Sequence, residues 1–219
     1  GVGHMLETVP FPTGTVEVTL DGAGIPSYEI RQGVAWDNIP FTPQIEELAR
    51  HTRAACFGSL AQRSPVSHRT IGRFLETMPD GEGQYKVFDI NLRQHFYTQQ
   101  VVEESLRKCN ILKINDEELA VVGSMFGLEG MQPGEQCRTL LDRYGLRIVI
   151  LTCGAAGSSV FAPDTRSYIP TPRVEVADTV GAGDSFTASF LAALLSGLGI
   201  GEAPVSYTHL RAHETLANL

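Results

Sequence analysis

The chain has 219 residues, 42% of them hydrophobic, and a mean hydropathy near zero, enough to bury one good-sized core and to exclude a charge-rich disordered polypeptide. No apolar run reaches the roughly eighteen residues of a membrane span, and the first residues lack a charged-then-apolar signal pattern, so a cytoplasmic protein with no membrane partner is expected. A net charge of −8 argues against nucleic acid as the main partner, and a bound nucleotide would need a metal cation to screen its phosphates.

Residues 15–20 alternate Val16, Val18 and Leu20 with Thr15, Glu17 and Thr19, predicting a half-exposed strand. After the turn Asp21-Gly22-Ala23-Gly24, Ile25 to Ile30 returns as a second strand with Pro26 near its start. Trp36, the sole tryptophan, follows the hairpin as a buried anchor or as an aromatic lining for a ligand. Strand and helix signals then alternate, as in a parallel sheet covered by helices. Strands are predicted at Ala54 to Gly58, Lys86 to Ile90, Asn110 to Ile114, Leu146 to Thr152 and Ser158 to Ala162. Helices are predicted from Ser64-Pro65 to about Met78, from Thr98 to Lys108, from Asn115 to Phe126, and after Gly130 to Gly134 as far as Tyr144-Gly145. Ile169-Pro170-Thr171-Pro172 reads as an extended connection. The four cysteines, Cys56, Cys109, Cys137 and Cys153, have no C-x-x-C spacing and read as reduced thiols that fill the core. Without repeats or low-complexity linkers, the chain reads as one domain.

The most informative stretch is Asp178-Thr179-Val180-Gly181-Ala182-Gly183-Asp184-Ser185-Phe186, followed by small and apolar residues to Leu195. It predicts a tight glycine turn feeding a helix whose first N–H groups point outward as an anion pocket. Asp184 falls in the first helical turn, where a carboxylate beside a bound phosphate makes sense as a general base. The plainer alternative is a capped turn whose helix buries Ala188, Phe190, Leu191, Leu194 and Leu195. A dinucleotide fingerprint does not fit, because Phe186 stands where a third glycine belongs. Other polar groups gather at predicted strand ends, where open α/β sheets bind ligands: Asp89-Ile90-Asn91-Leu92-Arg93, Asn115-Asp116-Glu117-Glu118 and Thr152-Cys153-Gly154-Ala155-Ala156-Gly157. Asn115 and Glu118 also form a capping-box pattern.

The nine-residue box resembles the D-T-x-G-A-G-D signature of the PfkB, or ribokinase-like, carbohydrate kinases. Pro12-Thr13-Gly14-Thr15-Val16, Ala35-Trp36-Asp37 and Asp89 to Arg93 resemble fructokinase-type members in particular. The resemblance implies a ribokinase-like three-layer α/β/α sandwich with a small β-sheet lid, here incomplete, that phosphorylates a sugar with ATP and Mg²⁺. By it Asp184 is the catalytic base, and Gly181, Ala182 and Gly183 form the anion hole. Asn115, Glu118, Thr152, Gly154 and Gly157 serve the nucleotide, Glu118 holding Mg²⁺ through water. Arg93 contacts substrate, Asp178 lies beside a monovalent-cation site suited to K⁺, and the lid serves a homodimer. Lys113 is a further candidate cation for phosphate.

The same resemblance makes residues 1–204 a partial kinase domain with its lid hairpin at about 13–35, lacking an early sugar-holding segment and the closing part of the adenine pocket. Residues 205–219 resemble one reading frame of a sequencing adapter and are expected to be a non-native tail, so His209, His213 and Glu214 are not read as metal ligands. A chain so shortened is expected to be inactive by itself.

Overall fold

A computed structural model of the chain describes residues 3–20, 22, 26–171 and 181–199. Two antiparallel strands, β1 (Val16–Leu20) and β2 (Pro26–Ile30), form a separate hairpin in the register Val16 to Ile30 through Leu20 to Pro26. The predicted half-burial does not hold. Both faces of β1 are exposed, with Val16, Val18 and Leu20 each more than half open to solvent, because these strands pair only with each other.

The main body is a six-stranded sheet in the order of the chain: β3 (Ala54–Phe57), β4 (Tyr85–Asp89), β5 (Ile111–Asn115), β6 (Ile148–Thr152), β7 (Ser158–Ala162) and β8 (Thr165–Ile169). The first four strands run parallel, but β7 and β8 are antiparallel to their neighbours, correcting the expectation of a parallel sheet. The short turn at 153–157 cannot carry a parallel crossover, so the chain must fold straight back.

Among the described residues six helices complete the body: α1 (Pro43–His51), α2 (Pro65–Thr77), α3 (Gln99–Lys108), α4 (Asp116–Met125), α5 (Pro133–Tyr144) and α6 (Ala182–Leu195). Their starts follow local chemistry. Thr42 and Thr98 accept hydrogen bonds from Ile45 and Val101, prolines open α1, α2 and α5, and Gly145 ends α5 in the left-handed region at φ 61°.

Alternation along β6 sorts the core into two layers. Val149 and Leu151 join Phe88, Leu112 and Ile114 beneath α3, α4 and α5, while Ile148 and Ile150 join Val87 and Ile111 against Phe186, Phe190, Ala193 and Leu194 of α6. Each fully buried phenylalanine contributes about 1.5–3 kcal/mol, so Phe186 and Phe190 are the main hold of α6 on the sheet. The buried face of α6 therefore differs from the predicted one, since Ala188 and Leu195 are exposed. Cys109 and Cys137 are core residues and Cys153 is half-buried, but Cys56 is exposed on the outer strand β3. No helix among the described residues is long and apolar enough to cross a membrane.

Candidate active site

Because β4, β5 and β6 are parallel, their last residues, Asp89, Asn115 and Thr152, come out at one edge of the sheet. Asn115 and Thr152 are direct neighbours in the β5–β6 register. The start of α6 is tied to the same edge. Thr187 donates its hydroxyl to Asp89 Oδ2 at 2.9 Å, and a Cβ placed on Gly183 would lie 3.0 Å from Lys113 Nζ.

Gly181 enters the helix in the left-handed region, φ 75° and ψ 1°, a conformation that favours glycine, and its carbonyl accepts the first helical bond from Ser185 N. Among the described residues no side chain caps this end, and the first-turn N–H groups have no intrahelical acceptor, as an anion pocket requires. Asp184 lies in that first turn and is exposed. Its neighbourhood on the sheet contains Asp89, Lys113 and Cys56. Burial of the sulfur and the nearby Asp89 charge push the Cys56 thiol up to about 11, although the residue as a whole lies open on the outer strand.

The predicted capping box is present. Asn115 Oδ1 accepts from Glu118 N at 2.8 Å, and Glu118 Oε2 accepts from Asn115 N at 2.9 Å. Its other oxygen, Oε1, accepts from Leu92 N at 2.9 Å, joining α4 to the loop after β4. Glu118 is 6% exposed with both oxygens engaged by backbone donors, and among the described residues no group of three or more acidic, His or Cys side chains could hold a metal directly. Each oxygen keeps a further lone pair, so this carboxylate fits an outer-shell role, holding a metal-bound water, better than an inner-shell one.

Gly154 and Gly157 both have positive φ, 50° and 101°, and a Cβ on Gly157 would collide with the Ile169 carbonyl oxygen. The turn is closed by Cys153 N to Gly157 O at 2.8 Å, and fastened to the β8 side by Tyr168 Oη to Ala156 O and Thr171 Oγ1 to Gly154 O, both at 2.6 Å. Arg93 is exposed just past β4, its Nη1 donating to the Leu92 carbonyl. Two non-glycine residues in this loop, Asn91 and Gln94, have φ of 44° and 48°, backbone strain of a kind that collects at functional sites. Gln94 Nε2 donates to Tyr28 O at 2.6 Å, which ties the loop to the hairpin.

Nothing in the residue pattern warns of the cluster at the hairpin's base. The Arg63 side chain is buried, its Nε and Nη2 bonded to Asp37 at 2.8 and 2.9 Å and its Nη2 to Arg31 O at 2.6 Å. Its guanidinium lies 4.0 Å from the centre of the Trp36 ring and 4.6 Å from that of Phe96. One face of Trp36 is thus taken by Arg63, which favours its anchor role over a ligand lining. Burial raises the Asp37 carboxyl, but hydrogen bonds from Arg63, Val34 and Gly33 outweigh it and hold the pKa below the ordinary value. Asp178 and the tail at 205–219 lie outside the described residues.

The sequence profile of the pfkB family carbohydrate kinases matches residues 66–204, well over half of the chain. The chain belongs to that family. This pfkB-family chain is similar to a fructokinase of Rhizobium leguminosarum bv. trifolii, 31% identical over 160 residues, which are 70% of this chain and 46% of that protein. It is also similar to a 2-dehydro-3-deoxygluconokinase of Escherichia coli, 32% identical over 179 residues, 76% of this chain and 55% of that one. It spans about half the length of these curated relatives. A solved sugar kinase of Pyrococcus horikoshii in complex with ATP has the same fold, with a TM-score of 0.72 at 22% identity over 92% of this chain and 64% of that one. The fold is the ribokinase-like α/β fold.

Within this pfkB-family fold the predicted residues Gly181, Gly183, Asp184, Asn115, Glu118 and Thr152 come from separate segments to one sheet edge, with the 154–157 turn directly after it. The buried Lys113–Asp89–Thr187 chain beneath them was not foreseen as a unit. Lys113 and Asp89 meet across the adjacent strands β5 and β4, 24 residues apart, and their partner on α6 is 98 residues away from Asp89.

Proposed function

We propose that this chain is part of a longer protein that transfers the γ-phosphoryl group of ATP to a sugar hydroxyl, with fructose as the first choice of acceptor. The observation that carries the proposal is an exposed Asp184 in the first turn of a helix that no side chain caps among the described residues, at the sheet edge that also ends in Asn115 and Thr152. Asp184 takes the proton from the attacking hydroxyl, and the backbone N–H groups at Gly181, Ala182 and Gly183 stabilise the charge on the transferring group. Asn115 lies near the phosphates. Glu118 would hold the water shell of Mg²⁺, which would supply the positive charge that screens the phosphates. Thr152, Gly154 and Gly157 leave room on the nucleotide side, and Arg93 offers its forked donors to substrate. A monovalent cation, K⁺, is assigned beside Asp178.

Fructose is favoured by the resemblance at Pro12 to Val16, Ala35 to Asp37 and Asp89 to Arg93, and by the fructokinase relative. The similarly close 2-dehydro-3-deoxygluconokinase supports a ketodeoxy acid as the alternative, with ribose a third. The hairpin β1–β2 is assigned as a lid that excludes water and serves a homodimer, a role consistent with Val16, Val18, Leu20 and Tyr28 each being more than half exposed. We assign the protein to the cytoplasm. Taken by itself, the 219-residue chain binds nucleotide weakly at most and does not turn over.

The test is a panel of fructose, ribose, tagatose and 2-keto-3-deoxygluconate offered to the full-length protein with ATP and Mg²⁺, read as ADP release. Fructose should give the highest kcat/KM. Preference for the keto acid would replace the sugar, and no acceptor-dependent ADP release would end the kinase proposal.

A further inference from the structure

The signature turn rests on a buried ion pair to which the mechanism above gives no part. Lys113 sits on the α6 side of β5, 8% exposed, with Nζ 2.9 Å from Asp89 Oδ1. Asp89 is 7% exposed, and its other oxygen accepts from the Thr187 hydroxyl at 2.9 Å. That hydroxyl is also 3.1 Å from Gly183 O, so the chain of contacts runs from β5 through β4 to α6 and back to the turn. With a Cβ on Gly183 only 3.0 Å from Nζ, the ammonium lies directly under a residue whose N–H belongs to the anion pocket.

None of three features here is explained by stability. A buried ion pair contributes little net stability, since desolvation cancels most of the attraction. An ammonium beneath a helix N-terminus adds to the positive end of the helix dipole, which is unfavourable until an anion arrives. Glycine in the first helical turn costs further stability relative to alanine. All three costs are offset if an anion binds above the turn. Lys113 is paired with Asp89 from β4, and the Cys56 thiol from β3 feels the charges of Asp89, Lys113 and Asp184, the last at the exposed lip of α6.

We infer that Lys113 is a positioning residue for phosphoryl transfer: clamped by Asp89 and Thr187, its ammonium fixes the Gly181–Gly183 turn above the sheet edge and places a buried positive charge behind the turn's N–H groups. The inference rests on the kinase reading of this site. It differs from a direct phosphate contact, because the ammonium is held by the carboxylate below the turn instead of reaching past it.

The experiment compares Lys113→Met, Asp89→Asn, the double variant Lys113→Met/Asp89→Asn, Thr187→Val and Asp184→Asn in the full-length protein, by steady-state kinetics and calorimetric ATP binding. The double variant removes both charges while the new amide oxygen still accepts from Thr187, so no lone buried charge is left to unfold it. Expected are ATP affinity within about threefold of wild type and kcat lowered about 10- to 100-fold, the cost of a displaced oxyanion hole. Thr187→Val keeps the ion pair and cuts the tie to α6. It should lower kcat about 10-fold with ATP affinity kept, and it carries the test by itself if the charge variants do not fold. Wild-type kcat in the double variant or in Thr187→Val would reduce the pair to a structural feature and overturn the inference. ATP affinity lost in parallel with kcat would make Lys113 a direct ligand and overturn it too. An active Asp184→Asn would remove the kinase reading itself, whereas an inactive Asp184→Asn beside a fully active double variant would remove only the role of Lys113.

Discussion

Replacing Glu118 with alanine should destabilise the protein whether or not any metal is bound. The carboxylate is 6% exposed and accepts backbone N–H groups from two places, Asn115 at the α4 N-terminus and Leu92 in the loop after β4, both at 2.9 Å. Each backbone donor left without an acceptor costs about 1–3 kcal/mol when water cannot reach it, the Asn115 N–H being the one that the Glu118 half of the capping box satisfies. Both positions are only part-buried, so the low end applies, and about 2 kcal/mol in total is expected. With a urea slope of about 2 kcal/mol per molar, the unfolding midpoint falls by about 1 M. The assay is equilibrium urea unfolding of the full-length protein with EDTA present, so that no metal contributes. Glu118→Gln keeps one acceptor oxygen and should lose about half as much. A midpoint for Glu118→Ala within about 0.2 M of wild type in EDTA would refute the reasoning, because the two backbone contacts would then be worth nothing.

Three further outcomes follow from the same structure. Gly157→Ala should cost at least about 2 kcal/mol and loosen β8, since φ is 101° and the added Cβ would press into Ile169 O; hydrogen exchange of β8 amides should rise, and unchanged exchange would contradict the stated clash. The Asp37 carboxyl is held below its ordinary 3.8 in the folded protein. The Asp37–Arg63 pair therefore adds stability above the unfolded pKa that disappears as pH falls through the folded one, and Asp37→Asn should flatten the acid side of a plot of thermal midpoint against pH. Cys109 and Cys137, buried and pushed up to about 12, should resist alkylation of the native protein, and Cys56, whose buried sulfur is pushed up to about 11, should react slowly, whereas the half-buried Cys153 reacts first, as mass spectrometry of timed samples can read.

What could be read from the sequence divides along physical lines. Caps and prolines are local, so α2, α3 and α4 begin where Ser64-Pro65, Thr98 and Asn115 predict. The same signal, Thr42-Pro43, opens α1 and was there to be used. β8 was hidden because Thr165 to Ile169 is a polar strand with only Ser167 and Ile169 even half-buried, so neither alternation nor an apolar run marks it. The antiparallel return of β7 follows from the length of the 153–157 turn, but only once β6 and β7 are known to be neighbours. In the site, the Asn115–Glu118 box lies within four residues and was legible as a cap. The Glu118–Leu92 bond, the Arg63–Asp37 pair and the Lys113–Asp89–Thr187 chain span 24 to 98 residues, and no spacing rule reaches that far.

The central claim is that the carboxylate in the first turn of α6 takes the proton from a sugar hydroxyl. Its most direct test is transfer of labelled γ-phosphate from ATP to fructose by the full-length protein and by its Asp184→Asn variant, with nucleotide affinity measured on both. The account predicts transfer lowered by about 10²- to 10⁴-fold and ATP affinity unchanged, the signature of a lost general base. Transfer at the wild-type rate in Asp184→Asn would contradict it.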